Sequence, residues 1–502
     1  MNLNRTQLAI FSGYGQIASA IGASLLMVPL ALRHLNEAEF GLWVVIGQSL
    51  GFLLLLDFGL GNSAGRILAD PIHKKDEAEL TSWWTVLVSA LGTQGVVILL
   101  IGVLLTRWIP TFLELPQSLA PEARYLWLGM VLFNALSRPL NALHGVYYAR
   151  NRVYVVNTAS VVMSWSTLAL FWLFLSLGYR TSAYMYATIL AWTLQTSILV
   201  LGLVIPKELP RFRGSSFQIV KLKSLYAYSF WTFLMAISIQ MILMSQSLVI
   251  SKVLGIATVA TFSVSVKAAN MLSQILWKTF DSFSPSWLRS HVEGDHETYL
   301  HNWTHGLVWS VSGALILSAG YVTFNRTFVA IYAREDLWAG HVLDVAAASW
   351  VILYAFVHAA SLPFVVTKNV RVLSLVSVAE APVSLLLGML MCRIYGLPGL
   401  YAGGIIASVL FAAGYLWRHT PAETGMKSGF LQITKDPRII KSCLVFLFAT
   451  LAVFSLKQPS WLGLTLGECL AALITAVALL WMLQSLLLKK RSAPVSALTH
   501  KY

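Results

Sequence analysis

The chain has 502 residues, 57% of them hydrophobic and only 11% charged. A soluble domain carries roughly 25% charged residues, so this composition excludes a soluble globular protein and predicts a polytopic integral membrane protein. The formal net charge of +14 is spread over short loops between apolar runs, with no basic folded domain to hold a duplex, which excludes a nucleic-acid partner.

The opening stretch MNLNRTQLAI has one basic residue and leads into an apolar run without a cleavage site. It reads as the start of a first span, not as a removed signal peptide. Runs of about 20 apolar residues are long enough to cross a bilayer. Fourteen are predicted, at 9–32, 41–61, 80–106, 125–148, 153–177, 183–205, 226–251, 257–280, 303–325, 342–366, 372–394, 398–417, 439–456 and 462–488. An even count puts both termini on one side of the membrane. Of the 35 Lys and Arg residues, 23 fall on that side and 9 on the other, with Arg138, Lys267 and Lys278 within or at the edge of spans. The positive-inside rule makes the shared side, and both termini, cytoplasmic. The longest loops on the opposite side, 107–124 and 326–341, are too short to form a domain.

Three landmarks repeat at nearly one offset. RHLNEAEFG at 33–41 matches KVLGIATVA at 252–260, ARNR at 149–152 matches TKNVR at 367–371, and LGYR at 177–180 matches YGLP at 395–398. Spans 1–6 and 7–12 therefore read as two parallel six-helix lobes, an architecture that transporters use with the site between the lobes. The expected organisation is an N-terminal lobe at 1–210, a basic cytoplasmic linker at 211–225, a C-terminal lobe at 226–420, and helices 13 and 14 with a tail at 421–502.

Polar residues inside the spans are the candidate site. A charge facing lipid costs on the order of 3 kcal/mol by insertion scales, so each of these residues must face protein or water. Asp57 lies 16 residues past Gly41. At 1.5 Å per residue that is about 24 Å into a core about 30 Å thick, near the cytoplasmic end of span 2. It reads either as an interfacial carboxylate bonded to a neighbour such as Arg66, or as a cation- or proton-coupling group. In span 8, Ser263, Lys267, Asn270, Gln274, Lys278 and Asp281 recur at spacings of three and four, which puts them on one helix face. Lys267 falls at mid-depth. Such a stripe is either ion-paired structure or the lining of a wet cavity, and the cavity is the preferred reading. Span 4 carries a second stripe of Asn134, Arg138, Asn141, Gly145 and Tyr148, with Pro139 placed to kink the helix. The Arg138 fork suits phosphate. Glu380, near the middle of span 11, reads as a partner for a buried cation or as a proton site. His358 and Ser361 share a face of span 10, and His144 borders the span 4 stripe. Near mid-depth the cations Arg138 and Lys267 outnumber Glu380, which favours an anionic substrate.

The three cysteines, Cys392, Cys443 and Cys469, lie in apolar segments without metal-ligand spacing, so no metal or other cofactor is expected. No Walker sequence or HExxH motif occurs, so transport would be coupled to an ion gradient or to substrate flow.

The N-terminal stretch has a short turn before FGLW at 40–43, LLDFGLG at 55–61 closing span 2, and then Arg66. It resembles the Wzx-type polysaccharide flippases of the MOP superfamily, to which the MATE transporters also belong. The resemblance implies a non-enzymatic flippase of the bacterial inner membrane. It would move undecaprenyl-pyrophosphate-linked oligosaccharides from the cytoplasmic to the periplasmic leaflet for O-antigen, capsule or exopolysaccharide assembly, with membrane lipid, a polysaccharide polymerase and chain-length proteins as partners. In that reading Arg138, Lys267, Lys278, Asn134, Asn141, Asn270 and Gln274 contact substrate, and Asp57, Arg66, Asp281 and Glu380 serve ion coupling or gating. An ion-coupled multidrug or cation antiporter of the same superfamily is the alternative.

Overall fold

The computed structural model describes residues 5–54, 60–281, 287, 290–291, 293–366, 370–424, 434–455, 473–475 and 477–478. Among these there are helices and turns but no strand. The helices are α1 (Arg5–His34), α2 (Glu37–Leu54), α3 (Leu60–Lys74), α4 (Glu77–Thr106), α5 (Ile109–Phe112), α6 (Ala120–Ser137), α7 (Ala142–Ala149), α8 (Val153–Ser176) and α9 (Ser182–Val204). They continue with α10 (Ile219–Leu254), α11 (Thr258–Ser265), α12 (Lys267–Asp281), α13 (His296–Tyr332), α14 (His341–Val366), α15 (Val370–Tyr395), α16 (Leu397–Ser408), α17 (Gly414–Thr424) and α18 (Pro437–Ser455). Chain packing divides them into two compact units, Met1–Ser263 with Val370–Met389, and Val264–Asn369 with Leu390–Tyr502.

Ten described helical segments are long and apolar enough to cross a membrane. The four predicted spans outside that set each have an identifiable reason. Span 2 begins as α2 and runs into residues 55–59, which lie outside the described residues together with Asp57. Span 14 lies almost wholly outside them. Spans 4 and 8 are both interrupted: span 4 beside Pro139, where a kink is expected, and span 8 where its spacing predicts a continuous helix. Span 4 is α6, a 3₁₀ turn at Arg138–Asn141, and then α7. Span 8 is α11, a turn at Val266, and then α12. Span 12 also changes pitch, through a π-helical turn at Val409–Ala413 that joins α16 to α17. Leu100 and Leu104 on α4, and Leu386, Leu390 and Ile394 on α15, are exposed apolar side chains suited to lipid.

The helix starts follow from local chemistry. Asn36 and Glu39 form a reciprocal capping box for α2, each backbone N–H donating to the other's side chain at 2.9 Å. Asp76 caps α4 and Asp295 caps α13 in the same sense. Glu39 is buried, and Arg180 donates to its two oxygens from Nε at 2.7 Å and Nη2 at 2.6 Å. The turn of Arg33–Gly41 thus becomes rigid, and Phe40, Leu35, Phe171 and Leu175 close over it as one core. The two turns matched in the sequence repeat also meet in space, because Gly41 has no Cβ to strike the Ile256 carbonyl.

Two further elements differ from expectation. The glycine-bearing connection after span 2 is helical, as α3. Its Gly65 stands where a Cβ would come 2.7 Å from Tyr148 Cβ, and Gly145 on α7 stands where one would come 2.6 Å from Ala64 Cβ. Small residues therefore let α3 and α7 pack backbone to backbone, as membrane helices do. The basic linker is shorter than 211–225, since α10 begins at Ile219. It lies along α4, with Ser82 Oγ donating to the Ser216 carbonyl at 3.0 Å and the Arg213 N–H donating to Thr85 Oγ1 at 3.1 Å.

Replacing Arg180 with alanine leaves a buried carboxylate with only its capping bond. Because Arg180 is itself half exposed, the expected loss is modest, about 1 kcal/mol. Thermal denaturation of the purified protein should show it, with partial recovery in Arg180→Lys. An unchanged melting curve for Arg180→Ala would contradict the assigned role.

Candidate functional site

One group of candidate residues is built on α4, α6 and α7. Pro139 cannot donate a main-chain hydrogen bond, which accounts for the 3₁₀ turn that begins at Arg138. The turn fits against α4 because α4 carries glycine there. A Cβ on Gly95 would collide with the Ala135 carbonyl and come 3.6 Å from Arg138 Cβ, and one on Gly92 would reach 3.9 Å from Pro139. Arg138 is only 6% exposed, at the point where the helix is interrupted. Asn134 is buried one turn earlier and spends its amide on its own helix, donating to the Met130 carbonyl at 2.7 Å. Asn141 is half-buried and Tyr148 is exposed, while Gly145 of the same stripe is taken up by packing against α3. In the same unit, Arg66 lies on the exposed side of α3 and Glu380 is buried in α15, two residues before Pro382.

A second group, in the other unit, is on α12. Lys267 is its first residue and is half-buried. Asn270, Gln274, Lys278 and Asp281 follow on α12 and are exposed. Ser263 stands on α11, before the break. Asp281 meets His358 of α14, with Oδ1 2.8 Å from Nε2. The His358 ring stacks on Trp277 at 5.4 Å and meets Phe280 edge-on at 5.9 Å. Sequence reasoning singled out both residues but did not pair them, because they are 77 positions apart.

Both candidate cations of the span interiors therefore sit at helix interruptions, one in each unit. Interrupted helices line the sites of many transporters, where they expose main-chain groups only to protein or to a water-filled cavity. Chemically, each group offers a cation, which suits anionic oxygen.

Two groupings lie away from these stripes. A cleft of about 560 Å³ is lined by Glu297, His301, Thr304, His305, Asp436 and Arg438. Arg438 pairs with Asp436 at 2.7 Å, and hydrogen bonding from Arg438 holds the Asp436 carboxyl below the usual carboxylate range. The second is a fully buried carboxylate, Asp344 on α14, which sequence reasoning missed. The available signal was its position within span 10, three residues after His341. Among the described residues no group of three or more His, Cys, Asp or Glu could hold a metal ion.

No protein-family model matches the chain, and no curated protein matches it by sequence. Solved structures do match. One is an inward-facing multidrug resistance MATE family transporter of the MOP superfamily, 13% identical with a TM-score of 0.69, covering 81% of this chain and 96% of its own. Another is the lipid II flippase MurJ in an inward closed conformation, 11% identical with a TM-score of 0.69, covering 96% of this chain and 99% of its own. A third is a MATE protein in a bent conformation, 15% identical with a TM-score of 0.57, covering 85% and 99%. The chain thus has an all-α, multi-pass membrane fold of the MATE and MurJ kind.

If glycine is what admits the Arg138 turn, Gly95→Val should destabilise the protein by about 1–3 kcal/mol, the usual cost of overpacking. Gly214→Ala, at a site open to solvent, should leave the melting temperature unchanged. Equal melting curves for the two variants would show that the close approach at Gly95 carries no weight.

Proposed function

We propose that this chain, whose fold is that of the MATE and MurJ transporters, is a flippase for lipid-linked oligosaccharides. Its substrate is an undecaprenyl-pyrophosphate-linked unit. It carries that unit from the cytoplasmic to the periplasmic leaflet of the bacterial inner membrane, for surface polysaccharide assembly. Both termini are cytoplasmic in this reading.

The observation that carries the proposal is the placement of Arg138 and Lys267 at interrupted helices. A diphosphate brings several negative charges into a region of low dielectric. It crosses only if the lost hydration is replaced by fixed donors. A guanidinium fork and an ammonium group are such donors. Arg138 binds diphosphate oxygen, Lys267 and Lys278 add charge along α12, and Asn134, Asn141, Asn270 and Gln274 serve the polar lining. Asp57, Arg66, Asp281 and Glu380 take the coupling and gating roles, and Asp281 exercises its role through His358. The protein acts as a carrier; bond-making belongs to the polymerase and chain-length proteins with which it works.

The test is complementation of surface polysaccharide in a strain lacking the gene, at matched expression. Losing one charged hydrogen bond in the translocating state, about 1.5–3 kcal/mol, should slow flipping by roughly ten- to a hundredfold in Arg138→Ala and in Lys267→Ala. Arg138→Lys should recover part of the activity, since it restores charge without the fork. Full flipping by both alanine variants would overturn the cationic-site reading. Drug sensitivity with normal surface polysaccharide in the deletion strain would identify a multidrug antiporter instead.

A further inference from the structure

We infer that Asp344 is a positioning residue that holds the α11–α12 interruption and thereby aims Lys267. The inference rests on the proposed function in one respect, that Lys267 is a substrate contact.

Ser265 is the last residue of α11 and is fully buried. In an unbroken helix its carbonyl would accept from the N–H four residues on. Here side chains of α13 take it instead. Asn325 Nδ2 donates to the Ser265 carbonyl at 2.9 Å, and Tyr321 OH donates to it at 3.0 Å. The helix restarts one residue later, with the Asn270 N–H donating to the Val266 carbonyl at 3.0 Å. Lys267 is the first residue after the restart. The Ser265 hydroxyl fixes the other side of the turn. It donates to the Leu337 carbonyl at 2.9 Å and accepts from the Ala339 N–H at 3.0 Å.

Asp344 stands behind the two donors. Its Oδ1 accepts from Asn325 Nδ2 at 2.5 Å and lies 3.4 Å from Tyr321 OH. Its Oδ2 accepts from Trp338 Nε1 at 3.0 Å, and His341 Nδ1 lies 3.6 Å away. The Asn325 amide has two hydrogens, one for the carboxylate and one for the Ser265 carbonyl, so its orientation is set by acceptors on both sides. Tyr321 has one hydrogen, and the shorter bond assigns it to Ser265. Without the carboxylate, Asn325 and Trp338 each lose an acceptor, and the amide is free to turn away from Ser265. The carbonyl can then return to the α-helical pattern, which would straighten α11 into α12 and move Lys267.

The experiment uses the full-length chain in membranes, with its three cysteines replaced and Lys267→Cys introduced. The alkylation rate of the new thiol by N-ethylmaleimide reports the position of that side chain. Gln274→Cys, two turns along the same helix, is the reference. Asp344→Ala, which removes the acceptor that asparagine would keep, should change the rate at position 267 by about fivefold, the effect of one lost hydrogen bond on a local equilibrium, and leave position 274 unaltered. Tyr321→Phe keeps the ring and removes one donor, so it should act in the same direction and remains usable if Asp344→Ala does not fold. Unchanged rates at 267 in the variants that fold, or equal changes at 267 and 274, would overturn the positioning role. The outcome is independent of transport. If Lys267→Ala flips substrate normally, the functional reading falls while the alkylation ratio still decides the role of Asp344.

Discussion

Inside a bilayer no water is present to satisfy a main-chain N–H or C=O, and each one left unpaired costs several kcal/mol. The rest of this structure depends on that constraint. A spanning helix can stop and restart at depth only where other protein groups accept the freed hydrogen-bonding atoms. The chain does this at Arg138–Asn141 and at Val266, within the two spans whose sequences carry the strongest polar stripes. At the second site the substitutes are identified: Tyr321 and Asn325 take the Ser265 carbonyl, and Asp344 orders them. Maintaining such an interruption requires several buried polar residues on three helices, which is more than a smooth helix would need. Both interruptions present a cation, and this ties them to substrate in the proposed function.

Close packing is the second theme, and it works by absence of side chains. Gly95 admits the broken segment of span 4 against α4, Gly65 and Gly145 bring α3 onto α7, and Gly41 lets its turn approach the Ile256 carbonyl. Lipid tails are as apolar as leucine, so helices in a membrane gain little from burying apolar area against each other. They associate through close backbone approach and hydrogen bonds instead. The ion pairs occur mainly at the loops, as with Glu39 and Arg180, or with Glu208 held by Arg150 and Arg152. There they fix the turns without placing charge in hydrocarbon.

Much of the fold was legible in the sequence because bilayer thickness dictates the length of an apolar run. Spans 5 and 6 were predicted at 153–177 and 183–205, and the helices occupy Val153–Ser176 and Ser182–Val204. The polar stripe of span 8 was also legible, since spacings of three and four survive a short interruption. The interruption at Val266 was not. It has no proline or glycine to announce it, and it depends on donors about 55–60 residues further along the chain. The helix α3 was hidden for a similar reason, because its glycine-bearing sequence looks like a connection until Tyr148 and Gly145 are placed against it. Asp344 escaped notice because a carboxylate near the end of a span usually reaches the interface, whereas this one is fully buried. The pairing of Asp281 with His358 required the tertiary fold.

The central claim is that a lipid-linked diphosphate crosses the membrane on this protein through cations held at helix interruptions. Its most direct test is flipping measured in proteoliposomes with a fluorescent polyprenyl-diphosphate oligosaccharide, beside the monophosphate analogue and a cationic dye. The account predicts protein-dependent movement of the diphosphate, weaker movement of the monophosphate, and loss of that preference in Arg138→Ala. Movement of the cationic dye alone, or equal flipping of both lipids by the native protein and by Arg138→Ala, would contradict it.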